Sequence, residues 1–225
     1  MKNEIFDNFT IKITKSSRAK NLRLRVDKTG TIHLSMPKWT LKSTGIKFVK
    51  DNIPWIQEQL DKIKPIKRFE NGMTIEILGQ SVVICHTPDK RGACHIHNGQ
   101  LFVSGGAEHL HRRVRDFIIR LAHPYIQTKA IQMATQLGEK PTRITLKDTS
   151  SRWGSCSSTK HLNFCWKLAL APDYVLDYII AHEVAHLKQM NHSDKFWAVV
   201  GTLNVHRADA EIWLRKHGSD LQGWE

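Results

Sequence analysis

Two histidines four residues apart anchor the run His182-Glu183-Val184-Ala185-His186. Residues four apart on an α-helix share a face, so both imidazoles can aim at one point. Glu183 sits beside them, where a carboxylate can hold an attacking water. This is the H-E-x-x-H pattern, in which two histidines bind zinc and the glutamate acts as general base. His192 follows six residues after His186 and offers a third ligand. Three protein ligands with a fourth position left open make a catalytic zinc site. The chemistry expected is metal-assisted hydrolysis. The ion lowers the pKa of its water from about 16 to about 7, and Glu183 takes the proton and passes it to the leaving group.

The elements that must position these groups are partly legible. Leu176, Ile180, Val184 and Leu187 form an apolar stripe that leaves the histidine pair at its edge. Two buried histidines without partners are costly, which makes a cation their natural partner. The helix, expected over 173–190 behind Pro172, must then end so that His192 can turn back. Asn191 tolerates left-handed backbone and can make that turn, and Ser193 can open a next helix to about Leu203. Metzincins carry a glycine within the same spacing and a later Met-turn. Here that position is Gln189 and no Met-turn follows, so that clan is excluded.

Upstream, the alternation of Phe9–Thr14, Leu22–Val26 and Thr31–Met36 predicts strands, with a turn at Asp27-Lys28-Thr29-Gly30. A helix is expected from Thr40 or Ser43 to about Ile63, bent or split by Pro54. Short strands follow over 74–78, 81–86, 95–97 and 101–104, with a tight hairpin at Gly79-Gln80. A helical pattern covers 107–137, with Pro124 kinking it or starting a second helix. Strands over 143–147 and 162–168 flank a loop, 148–160, and a last helix covers 208–216, stopped by Gly218. The fold class expected is α+β, in two units: a β-rich region, 1–105, with a basic hairpin and one helix, and a metal-binding core, 106–225, with a small sheet and the H-E-x-x-H helix.

The chain has 225 residues and a formal net charge of +13, from 34 Lys+Arg against 21 Asp+Glu. That excess attracts polyanions such as nucleic acid or nucleotides. Lys12, Lys15, Arg18, Lys20, Arg23 and Arg25 crowd one hairpin. They read either as a polyanion-binding surface or as a solvated face that discourages edge pairing. No recognisable nucleic-acid-binding motif accompanies them. The first residues lack a basic stretch followed by an apolar run, so no secretory signal is expected, and no segment is apolar enough for a membrane span. Cys85, Cys94, Cys156 and Cys165 form no C-x-x-C pair, which suits reduced thiols and a cytoplasmic location. Cys85 and Cys94, with His86, His95 and His97 nearby, could mark a second metal site. A structural role on short strands is the simpler reading.

The segments Ser150-Ser-Arg-Trp-Gly-Ser-Cys-Ser-Ser158, Leu162-Asn163, Ala171-Pro172, Tyr178-Ile-Ile-Ala-His-Glu-Val-Ala-His186, Met190-Asn-His-Ser193 and Phe196-Trp197 together resemble the YgjP-like family of predicted metal-dependent hydrolases. That family is related to the SprT and WLM zinc metallopeptidases. The resemblance is strong after Arg143 and looser before it. It implies a minimal gluzincin-like (zincin-like) core, with His182, His186 and His192 as zinc ligands and Glu183 as catalyst.

Arg152, in the loop before the metal helix, could hold a carboxylate or phosphate. Trp153 could line the pocket or plug the core. Cys156 reads as structural, since activated water already supplies a nucleophile, and Phe196 and Trp197 read as core. Three functions fit these residues. A metallopeptidase could pair an extended peptide with the strand from Leu162. A hydrolase of nucleoside triphosphates, working with Mg²⁺ or Mn²⁺, would use the positive charge. A nucleic-acid-associated module with structural zinc would need a fourth ligand, and no obvious one is present.

Overall fold

The computed structural model describes residues 2–6, 9–27, 29–63, 66–204 and 206–225, and of 2–6 the backbone only. The chain divides into two compact units, Met1–Ile66 and Lys67–Glu225. The fold class is α+β.

In the first unit, β1 (Lys2–Phe6), β2 (Phe9–Ser16), β3 (Arg23–Val26) and β4 (Ile32–Pro37) form a sheet in the order β1-β2-β4-β3. Period-two alternation puts Ile11, Ile32 and Leu34 on one buried face. Against that face lie Val49 of α1 (Lys42–Asp51) and Ile56 of α2 (Ile53–Asp61). Pro54 does split the expected helix. The break falls at Asn52, and Pro54 occupies the first turn of α2, where its missing N–H costs nothing.

Asp27 closes the β3–β4 turn. Its carboxylate accepts the Thr29 amide at 2.9 Å, the Thr29 hydroxyl at 2.7 Å and the Thr31 amide at 3.0 Å, and it meets His33 Nε2 at 2.7 Å. Burial alone would raise its pKa, but these hydrogen bonds hold it well below the usual carboxylate range. A pKa depressed by folding contributes stability above the unfolded value, about 4, and loses it as pH falls below. Asp27→Ala is therefore expected to cost about 1–2 kcal/mol at neutral pH. The gap to wild type should close on acidification in urea unfolding, and a gap independent of pH would contradict the assignment.

In the second unit, β5 (Thr74–Ile77), β6 (Gln80–Thr87), β7 (His95–His97) and β8 (Gln100–Ser104) form a sheet ordered β5-β6-β8-β7. The expected hairpin is present one residue earlier, with Leu78-Gly79 as its turn and Gln80 already in β6 opposite Ile77. Leu78 and Gly79 both have positive φ, 50° and 75°, the geometry of a two-residue turn that matches strand twist. Helix α3 (Leu110–Gln136) runs unbroken through Pro124. Its buried side, from Val114 through Ile118, Ala122 and Ile126 to Ala134, packs in one cluster with β5–β8. The Gly105-Gly106 turn, expected to separate two regions, thus lies inside this unit.

The second small sheet positions the site. It holds β9 (Arg143–Lys147), β10 (Gly154–Cys156) and β11 (His161–Cys165) in the order β10-β11-β9. Strand β11 is shorter than expected, because the chain turns into a 3₁₀ segment at Trp166–Leu170. It is also the central strand, antiparallel to β10 and parallel to β9. Both its edges are taken, so it cannot receive an extended peptide. The strand from Leu162 is therefore corrected as a docking edge, and β10, hidden in the expected loop, is an edge strand of this sheet.

Helices α4 (Asp173–Ala185), α5 (Asp194–Leu203) and α6 (Arg207–Leu221) complete the unit. The first stops at Ala185, five residues before the expected end. The last runs past Gly218, which is not a helix stop but a seat. A Cβ there would come 3.3 Å from the Trp153 ring. Among the described residues, no helix is long and apolar enough to cross a membrane.

Candidate metal centre

Leu176, Ile180, Val184 and Leu187 are all buried, as the stripe requires. That places His182 in the last turn of α4 and His186 at its C-cap, still in right-handed helical backbone (φ −64°, ψ −19°). The chain then turns back to His192 with no positive φ, so Asn191 does not use its left-handed tolerance. One ring nitrogen from each of His182, His186 and His192 lies within 4.8 Å of the others. Among the described residues no other His, Cys, Asp or Glu group does this. Cys85 and Cys94 with their histidines form no such cluster.

The three imidazoles suit a cation. His186 Nδ1 lies 3.0 Å from the Gln189 carbonyl. It must donate there, which leaves its Nε2 lone pair free. His182 Nε2 and His192 Nε2 face each other at 3.1 Å, close to the roughly 3.3 Å edge of a tetrahedron built from Zn–N bonds of about 2.0–2.1 Å. His182 Nδ1 is buried with no hydrogen-bond partner. Burial, then the neighbouring His186 and His192, push the His182 pKa down to about 4. Burial chiefly lowers that of His186. Both are neutral near pH 7, the form that binds a metal.

Phe196 and Trp197 of α5 wall this cluster. The Phe196 ring centroid lies 4.5 to 5.0 Å from all three imidazoles. The Arg207 guanidinium stacks 3.4 Å over Trp197. Arg207 also bonds Glu211 at 2.9 Å, and Glu211 accepts the Tyr178 hydroxyl at 2.8 Å. Tyr178 lies one turn before His182, with ring centroids 6.0 Å apart. The sequence reading missed this network, although Arg207 and Glu211 form an i,i+4 pair of opposite charge.

Glu183 is 6 % exposed. Burial raises its pKa to about 7, against the opposing pull of Arg152. The backbone of β10 lies against it. A Cβ at Gly154 would stand 2.5 Å from Glu183 Cγ and 2.7 Å from Oε1. Gly154→Ala is expected to displace the carboxylate, cost about 1–3 kcal/mol of stability and lower turnover at least tenfold (about 1.4 kcal/mol in barrier), with metal content unchanged. Full activity in that variant, assayed beside its metal content, would contradict a fixed Glu183.

The loop that carries Arg152 is clamped at its base. Lys167, 2 % exposed, meets Asp148 at 2.7 Å. The Cys165 amide bonds the Trp153 carbonyl at 2.7 Å, and the Thr149 hydroxyl bonds the Arg152 carbonyl at 2.7 Å. A lysine inside the apolar run Phe164–Ala171 was the signal for such a buried pair. Arg152 lines a cleft of about 150 Å³ with Lys147, Thr149, Ser155 and Asn163. Trp153 points elsewhere, over Gly218 of α6 and into the core. Cys156 is half-buried, its thiol pushed up to about 11 by burial and then by Glu183.

A family model described as YgjP-like, metallopeptidase domain, matches residues 20–217. No curated protein matches the chain. Two solved structures are similar over a minor part of it. The metallopeptidase zymogen jannalysin of Methanocaldococcus jannaschii is 22 % identical with a TM-score of 0.37, covering 40 % of this chain and 94 % of that one. The metallopeptidase zymogen abylysin of Pyrococcus abyssi is 21 % identical with a TM-score of 0.36, covering 41 % and 92 %.

Proposed function

Because the chain belongs to the YgjP-like family through its metallopeptidase domain, we propose that it is a zinc-dependent peptidase acting on extended polypeptide. The observation that carries this reading is the cluster of three imidazole nitrogens within 4.8 Å, with the buried carboxylate of Glu183 next in sequence to one of them. His182, His186 and His192 would hold the ion. When bound, zinc supplies Lewis acidity, polarising a carbonyl and making water acidic near neutral pH.

The chain's own groups do the rest. Glu183 takes a proton from the attacking water and returns it to the leaving amine. Gly154 leaves room for that carboxylate. The outer edge of β10 offers backbone N–H and C=O groups to an extended peptide. Arg152 holds a substrate carbonyl or carboxylate at the cleft. Trp153 acts on substrate indirectly, by anchoring the Arg152 loop on α6.

One observation favours a second reading. Lys147 and Arg152 both line one cleft, and Arg152 also pulls on the Glu183 carboxyl; two cations suit a phosphoanhydride, with Mg²⁺ or Mn²⁺ as the working ion. The two readings separate in one assay. Purified protein supplied with zinc, magnesium or manganese is tested on unfolded protein and on nucleoside triphosphates, with and without chelator. Chelator-sensitive peptide cleavage is expected. Chelator-sensitive release of pyrophosphate without peptide cleavage would overturn the peptidase reading.

A further inference from the structure

The first unit carries a positive charge excess of its own. Residues 1–66 hold eleven lysines and three arginines against six acidic residues. The sheet register shows where part of it goes. Lys12 of β2 stands beside His33 of β4, and His33 stands opposite Arg25 of β3. The next row on the same face is Thr14, Ser35 and Arg23. This is the face opposite the buried one, and Arg23, Arg25 and Thr14 on it are exposed.

Lys12 and Arg25 stand on the strands either side of β4, and neither faces an opposite charge across the sheet. Protection against edge pairing could account for β3, which is an edge, but not for Lys12 and His33 on the central strands. His33 is engaged by Asp27 at 2.7 Å. Among the described residues, no carboxylate pairs with Lys12, Arg23 or Arg25. At the end of β4 the chain exposes Trp39 and Leu41, each 71 % accessible. Lys15 reaches the same turn, its Nζ donating to the Thr40 carbonyl at 3.0 Å.

We propose that this open sheet face, with Trp39 on the turn that follows β4, binds single-stranded nucleic acid. Arg23, Arg25 and Lys12 contact phosphates, Thr14 and Ser35 offer hydroxyls between them, and Trp39 stacks on a base. A cationic track beside an exposed aromatic is the arrangement that holds single strands without sequence preference. A flat sheet face presents no helix or protruding ribbon to fill a major groove, so duplex is disfavoured. A membrane surface fits less well, because the apolar face of basic helix α1 is already turned into the core through Val49 and Phe48.

The test uses the full chain and fluorescein-labelled oligothymidylate or oligouridylate of about 20 nucleotides, a few site sizes long, read by anisotropy. Wild type should bind, with affinity falling about 20-fold between 50 and 200 mM salt, the slope for about three phosphate contacts on a single strand. Arg23→Glu/Arg25→Glu should weaken binding at least tenfold, a loss of about 1.4 kcal/mol. Arg23→Gln/Arg25→Gln should weaken it less, and it serves in place of the reversal if that variant melts early. Trp39→Ala should lose about fivefold or more. Hydrolysis at the metal centre should not change in any of these variants. No binding at low salt, wild-type affinity in both double variants, tighter binding to duplex of the same length, or binding to phosphatidylserine vesicles in place of the oligonucleotide would each overturn the proposal.

Discussion

Glu183→Gln is expected to retain its metal and lose about 10²- to 10⁴-fold in turnover, the range that a positioned acid–base group contributes. The substitution keeps the shape of a side chain that is 6 % exposed and lies against the backbone of Gly154, so the fold has no reason to adjust. His182, His186 and His192 are untouched. What is lost is a group able to take and return a proton. The wild-type carboxyl is suited to that work, because burial raises its pKa to about 7 while Arg152 tempers the rise. The variant's turnover and its metal content, measured together, check the expectation. Undiminished turnover would remove Glu183 from the chemistry.

His186→Ala should have the other large effect, on the metal itself. Losing even a partner of a ligand costs 10- to 100-fold in metal affinity, and losing the ligand should cost more than about 100-fold. Activity should then vanish except at high added metal. A cation bound only by the folded chain stabilises it by mass action. Zinc should therefore raise the melting temperature of wild type, chelator should lower it, and neither should move the variant. The ring of Phe196, 4.5 Å from that of His186, loses a neighbour as well, so a modest fall in metal-free stability is expected in addition. A variant that binds metal as tightly as wild type would exclude His186 as a ligand.

The site was legible where it rests on periodicity. The stripe Leu176, Ile180, Val184 and Leu187 fixes which way α4 faces, and the four-residue spacing then aims His182 and His186 together. The return of His192 was legible as a need for a turn, but not in its form, which uses no left-handed residue. Short elements were not legible. Strand β10 spans three residues, too few to show alternation, and it exists because β11 offers it a ladder. Its presence makes β11 central and moves the open edge next to Glu183.

Tertiary contacts overrode local signals elsewhere. Gly218 reads as a helix stop, yet α6 continues through it because Trp153 needs the space. Gly105-Gly106 reads as a boundary, yet β8 and α3 share one apolar cluster. The wall of Phe196 and Trp197 read as core, and Phe196 is fully buried. That both rings also flank the imidazoles follows only from how α5 packs on α4. Groups brought from far along the chain, such as Lys167 on Asp148 or Glu211 on Tyr178, leave at most a hint in the sequence: a charge in an apolar run, or an i,i+4 pair.

The most direct test of the central claim is to purify wild type and Glu183→Gln side by side, count metal per chain, and follow cleavage of an unfolded protein by each. The predicted result is about one zinc in both, as a site of three imidazoles requires, and cleavage by wild type alone. Metal absent from both, or equal cleavage by both, would contradict it.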